Sequence, residues 1–193
     1  MKKLNRILSA AVAACMSLTM FAGAAELDSA VDAPETETLT GTACVVTADG
    51  SVDTQFEYTV PVNATEEERA EIAREAAREA AGMAPAGRSV NGKAFLTGGA
   101  NYSLTSSWRR ISSGTFEADG GYVEITMTGI QGCTTVGVEL NNAPKTTSVR
   151  NSDAIIVFYD AEYILIREGN TASFRIKGSP NGTARIIEAY QYY

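Results

Sequence analysis

The stretch "GYVEITMTGIQGCTTVGVEL", residues 121–140, decides the fold class. Val123, Ile125 and Met127 alternate with polar neighbours, and Val136, Val138 and Leu140 repeat the pattern after a glycine-bearing break. A period of two belongs to strands with one buried face. The same grammar runs from Asn91 to the end, where short runs rich in Val, Ile, Thr, Phe and Tyr lie between Gly, Asn, Asp and Pro turns. It predicts strands over 93–97, 101–111, 114–118, 121–129, 133–140, 146–150, 154–160, 162–168, 171–178 and 183–192. "AIIVFYD", 154–160, is apolar on both faces and reads as a central strand. "SPNG", 179–182, is turn chemistry joining the last two strands. So many short strands in roughly 100 residues imply two packed sheets, an antiparallel β-sandwich or jelly roll over 93–193.

Upstream, a hairpin-helix unit is expected over 41–83, followed by a linker over 84–92. "TACVVTA" and "TQFEYTVPV" flank the turn "DGSVD", and Phe56, Tyr58, Val60 and Val62 alternate with polar residues. A helix is predicted from about Thr65 to Ala81, with Thr65 and Glu68 as a capping box and Gly82 as its stop. Its alanines form a shallow stripe suited to lying on a sheet. Glu71, Arg74, Glu75, Arg78 and Glu79 read as a solvated face with i,i+3 pairs.

The chain opens with a secretory signal over residues 1–24: basic "MKKLNR", an apolar run from Ile7 to Phe21, and a small-residue site at Ala22-Gly23-Ala24. That run is shorter than the ~20 residues a membrane helix needs, and no later segment is long and apolar enough to span. "VAAC", ending at Cys15, resembles a lipoprotein box, but cleavage there would leave an apolar start, so plain secretion to the exterior is expected. Residues 25–40 read as an acidic, disordered leader. Residues 26–83 carry 14 acidic and 3 basic side chains, a net of −11, while residues 84–193 carry 9 and 10, a net of +1. Such a surface, without a Lys/Arg cluster, argues against nucleic acid and anionic membrane as partners.

The chain contains no histidine, which removes Ser-His-Asp and Cys-His catalysis and His-containing zinc sites. No phosphate loop or Ser-Lys motif stands in for it. No catalytic residue, cofactor or metal ligand is therefore assigned, and a non-enzymatic binding module is expected. Carboxylates such as Glu117, Asp119, Glu124, Glu139, Asp160 and Glu162 leave a glycosidase as a minor alternative. Asp119, Asp153 and Asp160 read as turn formers rather than calcium ligands.

The residues most open to ligand contact are aromatic. Trp108, the only tryptophan, lies beside Arg109 and Arg110 in "NYSLTSSWRRIS", with Tyr102 at the same strand parity. With Tyr122 they would make a carbohydrate platform if exposed together. The competing expectation is that Trp108 plugs the core. The alternative partner is an extracellular protein, met by the acidic helix or the C-terminal strand. Beyond the signal, Cys44 and Cys133 are the only cysteines, and in an oxidising exterior one bridge between them is expected. It would close a loop of about 90 residues, contributing roughly 4–5 kcal/mol. Cys133 shares parity with outward-facing Thr135 and Gly137, so two free thiols remain the alternative.

Overall fold

The computed structural model describes residues 34–83, 91–149 and 152–193. The signal, the Cys15 box, most of the acidic leader and residues 84–90 of the linker lie outside them. Residues 34–193 pack as one compact unit. Its strands are β1 (Thr36–Thr47), β2 (Gly50–Pro61), β3 (Gly92–Leu96), β4 (Ala100–Leu104), β5 (Arg109–Thr115), β6 (Tyr122–Gln131), β7 (Thr135–Leu140), β8 (Ala143–Ser148), β9 (Ala154–Asp160), β10 (Thr171–Ser179) and β11 (Gly182–Tyr192). The helices are α1 (Glu66–Ala80) and the single turn α2 (Ala161–Ile164).

The protein is mostly β, with two sheets packed as a sandwich. A seven-stranded sheet has the order β2-β1-β9-β6-β11-β3, with β4 also on β11; a four-stranded sheet has the order β5-β10-β7-β8. Alternation explains the layers. Val123, Ile125, Met127, Val136, Val138, Leu140, Ala172, Phe174 and Ile176 are all at most 2% exposed and face one core between the sheets. The opposite face of the large sheet carries a second core, in which Phe56, Tyr58, Val60, Ile156 and Phe158 meet Ala73 and Ala77 of α1. β9 is buried on both faces, as its continuous apolar sequence requires.

Several expectations are corrected. The hairpin is not a separate unit, because β1 pairs in parallel with β9 inside the large sheet, which is therefore mixed rather than antiparallel. β1 begins at Thr36, taking in the end of the acidic leader, since Thr36–Thr47 pairs throughout with Gly50–Pro61. Gly92, read as linker, opens β3. The strand expected over 101–111 is broken into β4 and β5, which belong to different sheets. No strand forms over 162–168: its first residues belong to the helical turn α2, where the Asp160 side chain accepts from the backbone N–H of Glu162 and Tyr163, and a loop follows Ile164.

The helix matches its sequence signals, with both halves of the Thr65–Glu68 capping box formed. Ala70, Ala73 and Ala77 are fully buried, and their small side chains let the helix approach the sheet closely. Its basic residues are not simply solvated. Arg78 is 2% exposed, and it donates to the carboxylate of Glu124 on β6 and to the Tyr192 hydroxyl at 2.7 Å. Arg74 pairs with Glu188 and lies 3.8 Å from Glu124. Burial pushes the Glu124 carboxyl above its usual range, with Arg78 and Arg74 pulling it back. The i,i+3 pairs are also present, Glu71–Arg74 at 3.2 Å and Glu75–Arg78 at 2.7 Å.

The two cysteines are free thiols, which corrects the expected bridge. Register explains it. Cys44 is level across the sheet with Val157, Ile125 and Ala189. The Sγ of Cys133 instead packs against Gly178 and Gly182. Gly182 is seven positions from Ala189 on β11, roughly 20 Å along the strand, whereas a disulfide needs Cα atoms within ~7 Å. Burial pushes the Cys44 thiol up to about 12, with Asp53 adding to the effect.

Candidate functional site

The aromatic residues singled out in the sequence do not come together. Trp108 is half-buried against the outer face of the small sheet, where its ring edge occupies the space beside Gly137 and the Lys177 ammonium sits 4.5 Å from the ring centroid. It is thus neither the core plug nor part of a shared platform. Tyr102 packs toward the core between the sheets, with the Arg109 guanidinium 5.8 Å above its ring. Arg109 and Arg110 are exposed, the latter opposite Arg175 in register. Tyr122 lies on the far side of the large sheet beneath α1, stacked on Tyr192 with centroids 4.8 Å apart. Three rings on three surfaces cannot grip one sugar.

The candidate carboxylates are mostly held by internal partners. Glu124 is held by Arg78, Glu139 by Arg175 at 3.1 Å, Glu117 by Lys93 at 2.9 Å, and Asp160 caps α2. Asp119 accepts from the backbone N–H of Glu168. Glu162 keeps its place in the first turn of α2. No group of three or more acids or cysteines suited to a metal ion occurs among the described residues.

A cleft of about 510 Å³ opens on the outer face of the large sheet, between the first turns of α1 and the strand ends where β6, β11 and β4 meet. Alternation builds its floor. Arg185 pairs in register with Thr128 and Asn101, so all three side chains rise on the same face, joined by Thr183 and by Gln131 at the β6 end. Glu66 and Arg69 of α1 and Asp153 form the walls.

Both arginines of this cleft are ion-paired. Arg185 pairs through Nε with Glu66 at 2.5 Å and through Nη2 with Glu67 at 3.1 Å. Arg69 pairs with Glu37 at 2.5 Å and donates to the backbone carbonyls of Val62 and Ala64. Asp153 accepts from the Tyr58 hydroxyl at 2.9 Å; burial first, then the Asp153 charge, pushes that phenol far up, so it stays a donor. Asn101, Thr128, Gln131 and Thr183, by contrast, make no side-chain hydrogen bond to a described residue within the protein. The cleft therefore presents amides, hydroxyls and the Asp153 carboxylate beside two ion-paired arginines. Gly99, at φ +60, matters here, because a Cβ there would lie 2.7 Å from the Arg185 guanidinium and displace it.

A second hollow, of about 900 Å³, lies on another flank of α1, with Glu67, Glu68 and Glu71 beside Pro61 and Ile72. It has no cation or aromatic ring in its lining and no comparable set of converging neutral donors.

Sequence reasoning missed the cleft. Its residues come from α1, β4, β6, β11 and the approach to β9, and none of them is among the residues expected to contact a ligand. The alternation of β11 gives the facing of Thr183 and Arg185, but the neighbours of β11 are a matter of topology. No protein-family model matches the chain, and no curated protein or solved structure is significantly similar to it.

Proposed function

We propose that the protein is a secreted, non-enzymatic binding module whose cleft takes a neutral carbohydrate, of the cell envelope or its surroundings. One observation carries the proposal: four amide- or hydroxyl-bearing side chains converge in the cleft with no side-chain hydrogen bond to a described residue, while its two arginines are ion-paired. Neutral polyols are recognised by such arrays, since each hydroxyl both donates and accepts. A volume of about 510 Å³ suits a ligand of one or two sugar rings. An anion would have to compete with Glu66 and Glu67 for Arg185.

The test is a titration of glucose, galactose, mannose and N-acetylglucosamine, followed by amide NMR shifts. Binding that perturbs Asn101, Thr128, Gln131 and Thr183, and weakens in Asn101→Ala and Gln131→Ala, is the expected result. Binding unaffected by both substitutions, or no binding at millimolar sugar, overturns the proposal.

A protein partner is the second reading, supported by β2, which is the end strand of its sheet and displays Val52 at 66% exposure. The C-terminal strand does not support it, because β11 is flanked by β6 on one side and by β3 and β4 on the other.

A further inference from the structure

We propose that the binding site continues from the cleft along the outer face of β11 to a tyrosine shelf at its far end, and that its ligand is an extended neutral glycan chain. The inference rests on the carbohydrate reading of the cleft. It begins from the strand itself. Arg185 and Tyr190 both project from the outer face of β11, five positions apart, a span of ~17 Å that a chain of about three or four sugar rings would cover.

The wall of this lane is made by side chains of α1 that reach across to β11. Glu66 and Glu67 reach Arg185, Arg74 reaches Glu188, and Arg78 reaches Tyr192. The three guanidinium groups along it, of Arg185, Arg74 and Arg78, are each held by carboxylates and are not free to select an anionic ligand. On the opposite flank the neighbouring described positions are small. The positions of β3 that pair with Tyr192 and Tyr190 are Gly92 and Ala94, and the turn from β3 into β4 contains Gly98 and Gly99.

The shelf supplies what the cleft lacks, an aromatic surface. A Cβ on Gly92 would lie 2.0 Å from Cε1 of Tyr190, so the Tyr190 ring occupies the space directly over that glycine. The ring lies across the edge strand with one side against backbone and remains partly exposed. Tyr192 buttresses it with centroids 4.6 Å apart, and Tyr122 stacks behind Tyr192. Arg78 fixes that buttress twice, through the hydroxyl of Tyr192 and from 4.9 Å over its ring. A partly exposed ring seated on a glycine is suited to stacking on the apolar face of a pyranose.

The experiment measures affinity by calorimetry for linear oligomers of N-acetylglucosamine and of glucose, from one to five units. Affinity is expected to climb about tenfold between one unit and four, the scale of one aromatic stacking contact. Tyr190→Ala should abolish the climb and leave the single-unit affinity unchanged, while Tyr190→Phe, which keeps the ring, retains it. If four units bind no better than one, the extension is overturned and the cleft stands. If neither single units nor oligomers bind, the cleft proposal falls and takes the extension with it.

Discussion

Replacing Arg78 by methionine tests how the helix is held to the sheet. The guanidinium contacts Glu124, Glu75 and Tyr192, and Glu124 itself is 1% exposed. Methionine keeps most of the stem volume and removes the charge, leaving the carboxylate with the Thr126 hydroxyl at 3.1 Å and Arg74 at 3.8 Å. Breaking a buried pair from one side typically costs 3–5 kcal/mol. Because Arg74 remains, the lower end applies, about 3 kcal/mol, or roughly 6–12 °C in Tm for a domain of this size. Urea unfolding followed by circular dichroism measures it, with the m-value unchanged. Arg78→Met/Glu124→Met should recover most of the loss, since an apolar pair of similar volume can replace a buried ion pair.

The pH dependence has a definite sign. Glu124 is already pushed up by burial, and removing Arg78 takes away its main opposing charge. A carboxyl raised in the folded state stabilises below its unfolded pKa and loses that contribution as pH rises through the folded one. The deficit of Arg78→Met is therefore smaller at pH 5 than at pH 8. A cost below ~1 kcal/mol, or a deficit independent of pH, would refute the reasoning, because Glu124 would then be reaching water.

Two further outcomes follow from polar groups at the sandwich edge. Lys145, 9% exposed, pairs with Asp53 at 2.6 Å, and Thr147 donates to the same carboxylate at 2.9 Å, joining β8 of one sheet to β2 of the other. Burial works to raise Asp53, but the Lys145 and Thr147 hydrogen bonds outweigh it and hold the carboxyl below the aspartate range. Its contribution is present above the unfolded pKa of ~3.9 and lost as pH falls through the lower folded value. Asp53→Asn should flatten that part of the acid unfolding curve and leave the neutral-pH slope alone; an unchanged acid limb counts against the pairing. For the thiols, maleimide should label Cys133 in the native state and Cys44 only on unfolding, because Cys44 is fully buried and its thiol is raised to about 12. Equal native labelling rates would contradict the packing.

What was legible in the sequence was local. Period-two alternation gave the facing of β6, β7 and β10, the apolar run gave β9 its central place, and the capping box gave the start of α1. What was illegible depended on distant partners. A helix bearing Arg74 and Arg78 reads as solvated, because the carboxylate that draws Arg78 inward lies 46 positions away. The sequence "LTSSW" contains no glycine or proline to show that the chain leaves one sheet after Leu104 and joins the other at Arg109. Counting cysteines pairs thiols by number, whereas register sets Cys44 and Cys133 apart. The acidic leader illustrates the converse error, since its composition suggested disorder while Thr36, Thr38 and Thr40 are good strand formers once a partner strand is at hand.

The parallel seam between β1 and β9 also orders events in time. Gly41 meets Ala154, more than a hundred residues later, so the first hairpin cannot take its place in the sheet until most of the polypeptide is available. Contacts of such separation slow folding, because loop closure precedes any gain from pairing. Until β9 arrives, the inner edge of β1 is an unsheltered row of peptide groups beside Val45 and Val46. That interval is when association with a neighbouring copy is the main hazard, and a holdase acting on this segment would have its greatest effect.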